Sequence, residues 1–295
     1  MSLVVAEPST STLQEQPAQA RRTIPAERRI ARPGAPRPGA SPGVPFNATL
    51  VAREDLSPAV ARFWVAPAEG VPAFVPGQYF ALGLPIAERL VQRPYSTASP
   101  AGARNELEFL VRLVPHGTFT PRLWEQPIGG RLRIGPPKGV FALRRDDGRA
   151  HLFLATGTGV APFVSMVATM LAGESGSRPA RIVVVHGVSR IADLAYRDQL
   201  VGWTRSHPGV AYVPVISRPG DPDNADWVGS TGRLEAVLDA VRVEQSLDPA
   251  NTVAYLCGNP EMITAGRSRL AALGWPSSAL VSEHYWTARR SGDAR

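Results

Sequence analysis

Two patterns of apolar residues meet near residue 150 and restrict the chain to two domains of different architecture. In the first pattern, short runs alternate apolar with polar residues and are separated by turn residues. These runs lie at 47–53, 61–66, 78–84, 106–114 and 131–134. Closely spaced runs of this kind predict an antiparallel β-barrel or sandwich over residues 46–149.

The second pattern consists of continuous apolar runs, typical of strands buried on both faces of a parallel sheet. They lie at 151–155, 181–186, 211–216 and 252–256. Helical patterns occur near 162–172, 192–204, 232–241 and 260–273. This alternation predicts a parallel-sheet α/β nucleotide-binding domain over residues 150–286, following the barrel.

The two ends of the chain carry most of its net positive charge. Residues 1–45 contain eight Pro, no aromatic residue and six Arg against three Glu, and residues 287–295 contain three Arg against one Asp. We therefore expect a disordered leader and a short tail. The formal net charge is +7, but the remaining residues include 23 basic and 21 acidic ones, so a nucleic-acid partner does not follow.

Cys257 is the single cysteine of the sequence. One thiol excludes an intramolecular disulfide, a Cys-ligated zinc site of the usual kind and a four-thiolate iron–sulfur cluster, and no other metal site is predicted. No run of about 18 apolar residues is present, and the N-terminus lacks the pattern of a signal peptide. The expected molecule is a cytoplasmic monomer without membrane contact.

The segment 93–99 combines a cation, an aromatic ring and hydroxyl groups. Arg93 can pair with a pyrophosphate, Tyr95 can stack on a ring, and Ser96 can hydrogen-bond a ring nitrogen. A structural turn with a surface arginine explains the same residues equally well. Because Pro94 cannot donate to a sheet ladder, we expect the chain to leave the sheet there.

Three motifs in order resemble the FAD domain of the ferredoxin–NADP reductase family: PGQY at 76–79, R-x-Y-S at 93–96 and G-x-x-T at 117–120. The resemblance assigns FAD-binding roles to Arg93, Tyr95, Ser96, Gly117 and Thr120. It implies that the arginine holds the pyrophosphate, the tyrosine packs on the flavin and the serine hydrogen-bonds flavin N5. The glycine and threonine would help to bind phosphate.

A second glycine-rich loop, 157–162 (GTGVAP), follows the strand predicted at 151–155 and opens a helix. Glycine permits a backbone to approach a phosphate closely, although such loops often contain glycine for packing alone. The next strand ends at 186–188 without the acidic residue that binds a ribose 2′-hydroxyl. Its absence favours a 2′-phosphate, for which Arg218 and Arg233 are the candidate bases.

The segment 257–262 (CGNPEM) ends the last continuous run. Asn259 and Pro260 suit the N-cap and first position of a helix that closes at Gly274. Cys257 could be a buried small apolar residue, yet the carboxyl ends of strands in open α/β sheets face the ligand crevice.

The GTGxAP and CGNPxM motifs resemble the pyridine-nucleotide domain of the same family. The resemblance assigns NADP(H) contacts to Gly157, Thr158, Gly159, Pro162, Arg190, Ser217, Arg218, Arg233, Cys257, Gly258 and Met262. It places Cys257 beside nicotinamide C4 and the serine and arginines near the 2′-phosphate. Arg190 departs from the family register by one residue.

The segment 282–286 (SEHYW) could be an ordinary docked strand. It also resembles the ending of bacterial reductases of this family, which implies that Tyr285 covers the flavin and Trp286 lies near the FAD adenine. The implied catalytic residues are Ser96, Cys257, Glu283 and Tyr285.

The predicted function is that of a ferredoxin–NADP⁺ reductase. Hydride passes between NADPH and FAD, and single electrons then pass to a separate acidic ferredoxin or flavodoxin. Two alternatives remain: a reductase component of an oxygenase or flavohaemoglobin-type system, and a non-catalytic FAD-binding electron-transfer or redox-sensing subunit.

Overall fold

The computed structural model describes residues 46–144, 148–173 and 181–285. The first domain is a curled antiparallel sheet. Its strands are β1 (Ala48–Ser57), β2 (Val60–Pro67), β3 (Tyr79–Ile86), β4 (Arg89–Ser96), β5 (Leu107–Arg112) and β6 (Arg131–Ile134). The helix α1 (Thr120–Trp124) lies between β5 and β6.

The strand order in this sheet is β4-β3-β6-β1-β2-β5. Alternate side chains point inward, and the core includes Leu50, Phe63, Phe80 and Phe109, all fully buried. The outer strands β4 and β5 are joined by a bridge between Thr97 and Phe109 rather than by a full ladder, so the barrel has an open seam.

The second domain contains a parallel sheet in the order β10-β9-β8-β7-β11-β12. Its strands are β7 (Ala150–Thr156), β8 (Ile182–Val188), β9 (Val210–Ile216), β10 (Ser230–Thr231), β11 (Thr252–Gly258) and β12 (Leu280–His284). The helices are α2 (Ala161–Leu171), α3 (Arg197–Ser206), α4 (Leu238–Glu244) and α5 (Pro260–Ala272). Every residue of β8 and β11 is buried, as the continuous apolar runs predict.

The two domains share an apolar core where α2 meets the barrel. Phe141, which follows β6, contacts Phe163 of α2 with ring centroids 5.8 Å apart. The Ser165 hydroxyl donates to the Ser99 carbonyl at 2.6 Å, and the Thr169 hydroxyl accepts from the Ala101 amide at 3.0 Å. Burial and hydrogen bonds therefore hold the domains in one arrangement.

The predicted fold class, an antiparallel barrel followed by a parallel-sheet α/β domain, is confirmed. The prediction that the chain leaves the sheet at Pro94 is wrong. Pro94 lies within β4 opposite Ala81, and because β4 is an outer strand its missing amide donor costs no ladder bond. The predicted cap is confirmed, since the Asn259 side chain accepts from the Glu261 amide at 2.7 Å.

Among the described residues, no helix is long and apolar enough to cross a membrane. In the same part of the chain, no group of three or more His, Cys, Asp or Glu side chains is arranged to hold a metal ion.

Candidate active site at the domain boundary

The four residues predicted to be catalytic come together where the two domains meet. Ser96 ends β4 of the barrel, and the other three lie at the carboxyl end of the α/β sheet. Parallel pairing places Cys257 of β11 opposite Glu283 of β12. The Ser96 hydroxyl donates to a Glu283 carboxylate oxygen at 3.3 Å, so this hydrogen bond crosses the domain boundary.

The Glu283 carboxyl of this cluster is partly buried. Burial raises its pKa to about 7, although the hydrogen bond from Ser96 acts in the opposite direction. A carboxyl group with this pKa is present in both protonation states near neutral pH. It can therefore donate or accept a proton under physiological conditions.

Tyr285 follows β12 and lies beside the end of β11, which carries Cys257. Its amide donates to the Gly258 carbonyl at 3.2 Å, and its side chain packs against the core cluster that contains Cys257. Burial, reinforced by the negative charge of Glu283, raises the pKa of Cys257 well above its usual value. Because this buried cysteine stays a neutral thiol, its chemistry is contact and hydrogen bonding rather than nucleophilic attack.

The predicted FAD-binding residues of the barrel occupy an outer strand and the turn that leads into α1. Tyr95 is half-buried and its ring centroid lies 6.0 Å from that of Phe119. Burial raises the pKa of Tyr95 above its usual range, so the ring is uncharged. Arg93 is exposed, and its guanidinium donates at 2.8 Å to the carbonyl of Gln92.

Gly117 and Thr120 close a tight loop. The Gly117 amide donates to the Val114 carbonyl at 2.8 Å, and the Thr120 hydroxyl accepts from the Val114 amide at 2.9 Å. The Thr120 hydroxyl also donates to the Val114 carbonyl at 3.2 Å. The threonine hydroxyl therefore stabilises the loop by hydrogen bonds to the Val114 backbone. Its direct contact with a phosphate stays a prediction.

The two glycine motifs of the α/β domain pack backbone against backbone. A Cβ atom on Gly159 would lie 2.7 Å from the Cys257 carbonyl carbon and 2.9 Å from the Gly258 Cα, closer than such atoms approach. Gly258 has φ +132° and lies against Thr156, whose hydroxyl accepts from the Asn259 amide at 3.0 Å. Packing accordingly requires glycine at both positions, whatever ligand the loops hold.

His186, which the sequence analysis did not select, supports the first glycine loop. Its Nε2 lies 2.9 Å from the carbonyl oxygen of Gly157, and the ring is buried. Burial lowers the pKa of His186 to about 4, so the neutral ring donates Nε2–H to this carbonyl. The sequence feature that could have indicated this role is the position of the histidine at the end of the continuous apolar run 181–186.

The three candidate arginines follow three neighbouring strands. Val188, Ile216 and Thr231 are paired across β8, β9 and β10. Arg190, Arg218 and Arg233 each stand two residues beyond these paired positions. The register therefore brings all three to the same carboxyl edge of the sheet.

The environments of the other predicted coenzyme residues differ. Arg190 forms ion pairs with Asp221 at 3.0 Å and Asp223 at 3.3 Å. The Ser217 hydroxyl donates to the Val188 carbonyl at 3.2 Å. Met262 is buried in the core beside the sheet, so packing alone accounts for it. Of the remaining predicted residues, Thr158 lies in the 3₁₀ turn 157–160 and Pro162 in the first turn of α2. Trp286 lies outside the described residues.

Known domain families match both parts of the chain. The oxidoreductase FAD-binding domain matches residues 47–143, and the oxidoreductase NAD-binding domain matches residues 153–268. Ferredoxin–NADP reductase B of Sorangium cellulosum is 32% identical over 247 residues, which cover 82% of this chain and 98% of that protein.

Two further relatives act in oxygenase systems according to their names. The anthranilate 1,2-dioxygenase electron transfer component of Acinetobacter baylyi is 34% identical over 214 residues, 72% of this chain. The match spans only 58% of that longer protein. The crystal structure of the Amycolatopsis cytochrome P450 reductase GcoB has a TM-score of 0.70 at 30% identity, covering 81% of this chain and 69% of that chain.

The side chains at the boundary fit the two nucleotides that these domain families bind. Ser96 and Glu283 offer hydrogen-bonding groups to a flavin ring, and the half-buried Tyr95 offers an aromatic face. In the α/β domain, Gly157 has φ +53° and no atom lies within 4 Å of the place where its Cβ would stand. The backbone of this turn is therefore open to a phosphate group.

Proposed function

Because this chain belongs to the ferredoxin–NADP reductase family of FAD-dependent oxidoreductases, we propose that it takes hydride from NADPH and delivers single electrons to a small acidic carrier protein. The carrier would be a ferredoxin or a flavodoxin. The convergence of Ser96, Cys257, Glu283 and Tyr285 at the domain boundary supports this proposal. The proposal extends to a monomer that works in the cytoplasm.

The barrel would hold FAD and the α/β domain would hold NADP(H). When bound, FAD accepts hydride from a reduced nicotinamide and can release its electrons one at a time. Arg93 would pair with the pyrophosphate, Tyr95 would cover a ring face, and Ser96 would donate to a ring nitrogen. The loop closed by Gly117 and Thr120 would lie along the phosphates.

On the coenzyme side, the turn 157–160 would lie against the coenzyme phosphates. Arg218 and Arg233, with Ser217 and Arg190 beside them, would receive the 2′-phosphate. Cys257 would contact the nicotinamide as a neutral thiol, because burial keeps its proton in place. Tyr285 would have to move aside for the nicotinamide, since it packs against the core cluster that contains Cys257.

Glu283 would supply and receive the proton that accompanies electron transfer. Its carboxyl lies within hydrogen-bonding distance of Ser96, and its pKa of about 7 allows both directions near neutral pH. Ser96 could then relay a proton between this carboxyl and a ring nitrogen.

The names of the relatives favour a second candidate, the reductase component of an oxygenase. The electron transfer component of an anthranilate dioxygenase and a cytochrome P450 reductase are both similar to this chain. The 295 residues contain one cysteine, so they cannot by themselves hold a four-thiolate cluster. The chemistry at the flavin would be the same, and the electron acceptor would differ.

The test is electron delivery by the purified, FAD-loaded protein. With NADPH supplied, we expect reduction of at least one ferredoxin or flavodoxin encoded in the same genome. The control omits the reductase. The proposal fails if no carrier is reduced, and reduction confined to an oxygenase protein would establish the second candidate instead.

A further inference from the structure

A partly buried polar network crosses the domain boundary away from the four site residues. The Arg62 guanidinium of β2 pairs with Glu108 of β5 at 2.6 Å and with Glu54 of β1 at 2.8 Å. The same Glu108 oxygen accepts from the hydroxyl of Tyr196 at 2.6 Å. Tyr196 belongs to the α/β domain, so this hydrogen bond joins the two domains directly.

Tyr196 is held in an unusual backbone conformation. It has φ +61° and ψ +13°, in the left-handed region that a bulky residue adopts only when its surroundings fix it. Its side chain is buried, and its ring lies 4.9 Å from the Arg62 guanidinium carbon. Burial raises the pKa of Tyr196 well above its usual value, so the hydroxyl keeps its proton and donates.

On the barrel side, the backbone of Glu108 holds the segment that follows Ser96. The Glu108 carbonyl accepts from the Thr97 hydroxyl at 3.0 Å and from the Ala98 amide at 2.9 Å. The Glu108 amide donates to the Ser99 hydroxyl at 2.8 Å. A displacement of Glu108 would therefore be passed to Ser96 through adjacent residues.

On the α/β side, Tyr196 follows Arg190 by six residues. Asn224 connects this segment to the end of β9. Its side-chain amide donates to the Ser189 carbonyl at 2.9 Å and to the Arg218 carbonyl at 2.8 Å. The segment that carries Tyr196 is thus anchored to the arginine edge of the sheet.

We propose that the Tyr196–Glu108 hydrogen bond positions the coenzyme site of the α/β domain against the Ser96 side of the barrel. Tyr196 is a positioning residue that does not touch the reacting atoms. This inference rests on the proposed function, since it concerns the alignment of NADPH with FAD. Hydride transfer is sensitive to alignment because small displacements of the reacting atoms slow such reactions strongly.

The test replaces Tyr196 by Phe, which removes one hydroxyl and keeps the buried ring. In the FAD-loaded protein, we expect the rate constant of flavin reduction at saturating NADPH to fall about tenfold. The NADPH dissociation constant and the FAD content should stay within about twofold of the wild-type values. Hydrogen exchange, a readout independent of activity, should become faster at the amides of residues 97–99.

Two matched variants separate positioning from general weakening. Ser57→Ala removes another interdomain hydrogen bond, 2.9 Å from the hydroxyl to Asp193, and should leave both the rate and the exchange unchanged. Glu108→Gln keeps an oxygen that can accept from Tyr196 and Arg62, so it should reduce flavin within about threefold of wild type. If Tyr196→Phe is poorly folded, Glu108→Leu removes the acceptor and should give the same tenfold fall.

Three results would overturn the inference. Either bond-breaking variant, in folded form, could reduce its flavin at the wild-type rate. Ser57→Ala could slow reduction as much as Tyr196→Phe, or Glu108→Gln could do so. A wild-type protein whose flavin is not reduced by either coenzyme contradicts the proposed function itself, which distinguishes the two failures.

Discussion

At the scale of single residues, Glu283 forms a hydrogen bond between the two domains. Its carboxyl is attached to β12 of the α/β sheet, yet its partner Ser96 belongs to the barrel. A pKa of about 7 means that the folded chain binds a proton which an unfolded chain, with an ordinary glutamate, releases near pH 4.5. Stability and proton transfer are therefore linked at this carboxyl.

This linkage predicts how Glu283→Gln changes the pH dependence of stability. Between about pH 4.5 and 7 the folded state holds more protons than the unfolded state, so wild-type stability falls as pH rises through this window. Glutamine does not titrate and should remove this fall. Relative to wild type, the free energy of unfolding of the variant should rise by about 2–3 kcal/mol between pH 5 and 8.

Urea unfolding of the FAD-bound proteins across this pH range measures the difference. Glu244→Gln, at an exposed position at the end of α4, serves as the control. Its free energy of unfolding should change with pH as that of the wild type does. Parallel curves for Glu283→Gln and wild type would refute the linkage.

At the scale of elements, the glycine loops show how packing shapes the coenzyme site. The turn after β7 and the end of β11 approach so closely that Gly159 has no room for a side chain. The structure supports close packing as a role of Gly159 and Gly258, and their predicted role in binding a ligand stays a prediction. His186 adds a hydrogen bond to the same turn from β8.

Gly159→Ala tests this arrangement. The added methyl group collides with the backbone of Cys257 and Gly258, which cannot move aside as a flexible side chain would. We expect the free energy of unfolding to fall by about 1–3 kcal/mol, the usual cost of overpacking, with weaker NADP⁺ binding.

The matched control for this variant is Gly202→Ala. Gly202 is exposed on α3 with no atom within 4 Å of its would-be Cβ, so alanine should be neutral or stabilising by up to about 1 kcal/mol. Denaturant unfolding and NADP⁺ titration measure both effects. Equal stabilities for the two variants would show that the loops are less tightly packed than described.

The strands that sequence patterns missed share a position. β4 and β10 are both outer strands, whereas the four continuous apolar runs became the central strands β7, β8, β9 and β11. The third outer strand of this kind, β12, overlaps the segment 282–286 for which a docked strand was one interpretation. Periodicity detects burial on a core face, and outer strands such as β4, with Pro94 and several exposed residues, give a weak signal. The α3 helix likewise begins at Arg197, later than the pattern near 192 suggests.

Some residues of the candidate site could be predicted from the sequence, and others could not. The family motifs predicted Ser96, Cys257, Glu283 and Tyr285, and the structure brings these four residues together at the domain boundary, while their catalytic roles stay predictions. Tyr196 and Glu108 could not be found from the sequence. They are 88 residues apart, and their contact depends on how the domains pack.

At the scale of the whole molecule, the shared core and the boundary hydrogen bonds hold the predicted FAD residues of the barrel against the α/β domain. The barrel contributes the FAD motif, and the α/β domain contributes the arginine edge. On the proposed function, a coenzyme held at that edge would reach the carboxyl end of β11, where Cys257 lies opposite Glu283. The central claim is that NADPH bound there reduces FAD directly.

Anaerobic stopped-flow measurement of flavin reduction tests this claim most directly. We expect the FAD-bound protein to lose its flavin absorbance on mixing with NADPH, at least tenfold more efficiently than with NADH. A charge-assisted pair to the 2′-phosphate contributes about 1.5–3 kcal/mol, enough for that ratio. Combined Arg218→Ala and Arg233→Ala substitution should abolish the preference, and the exposed Arg205→Ala should preserve it. Flavin that neither coenzyme reduces, or equal rates with both in the wild type, would contradict the assignment.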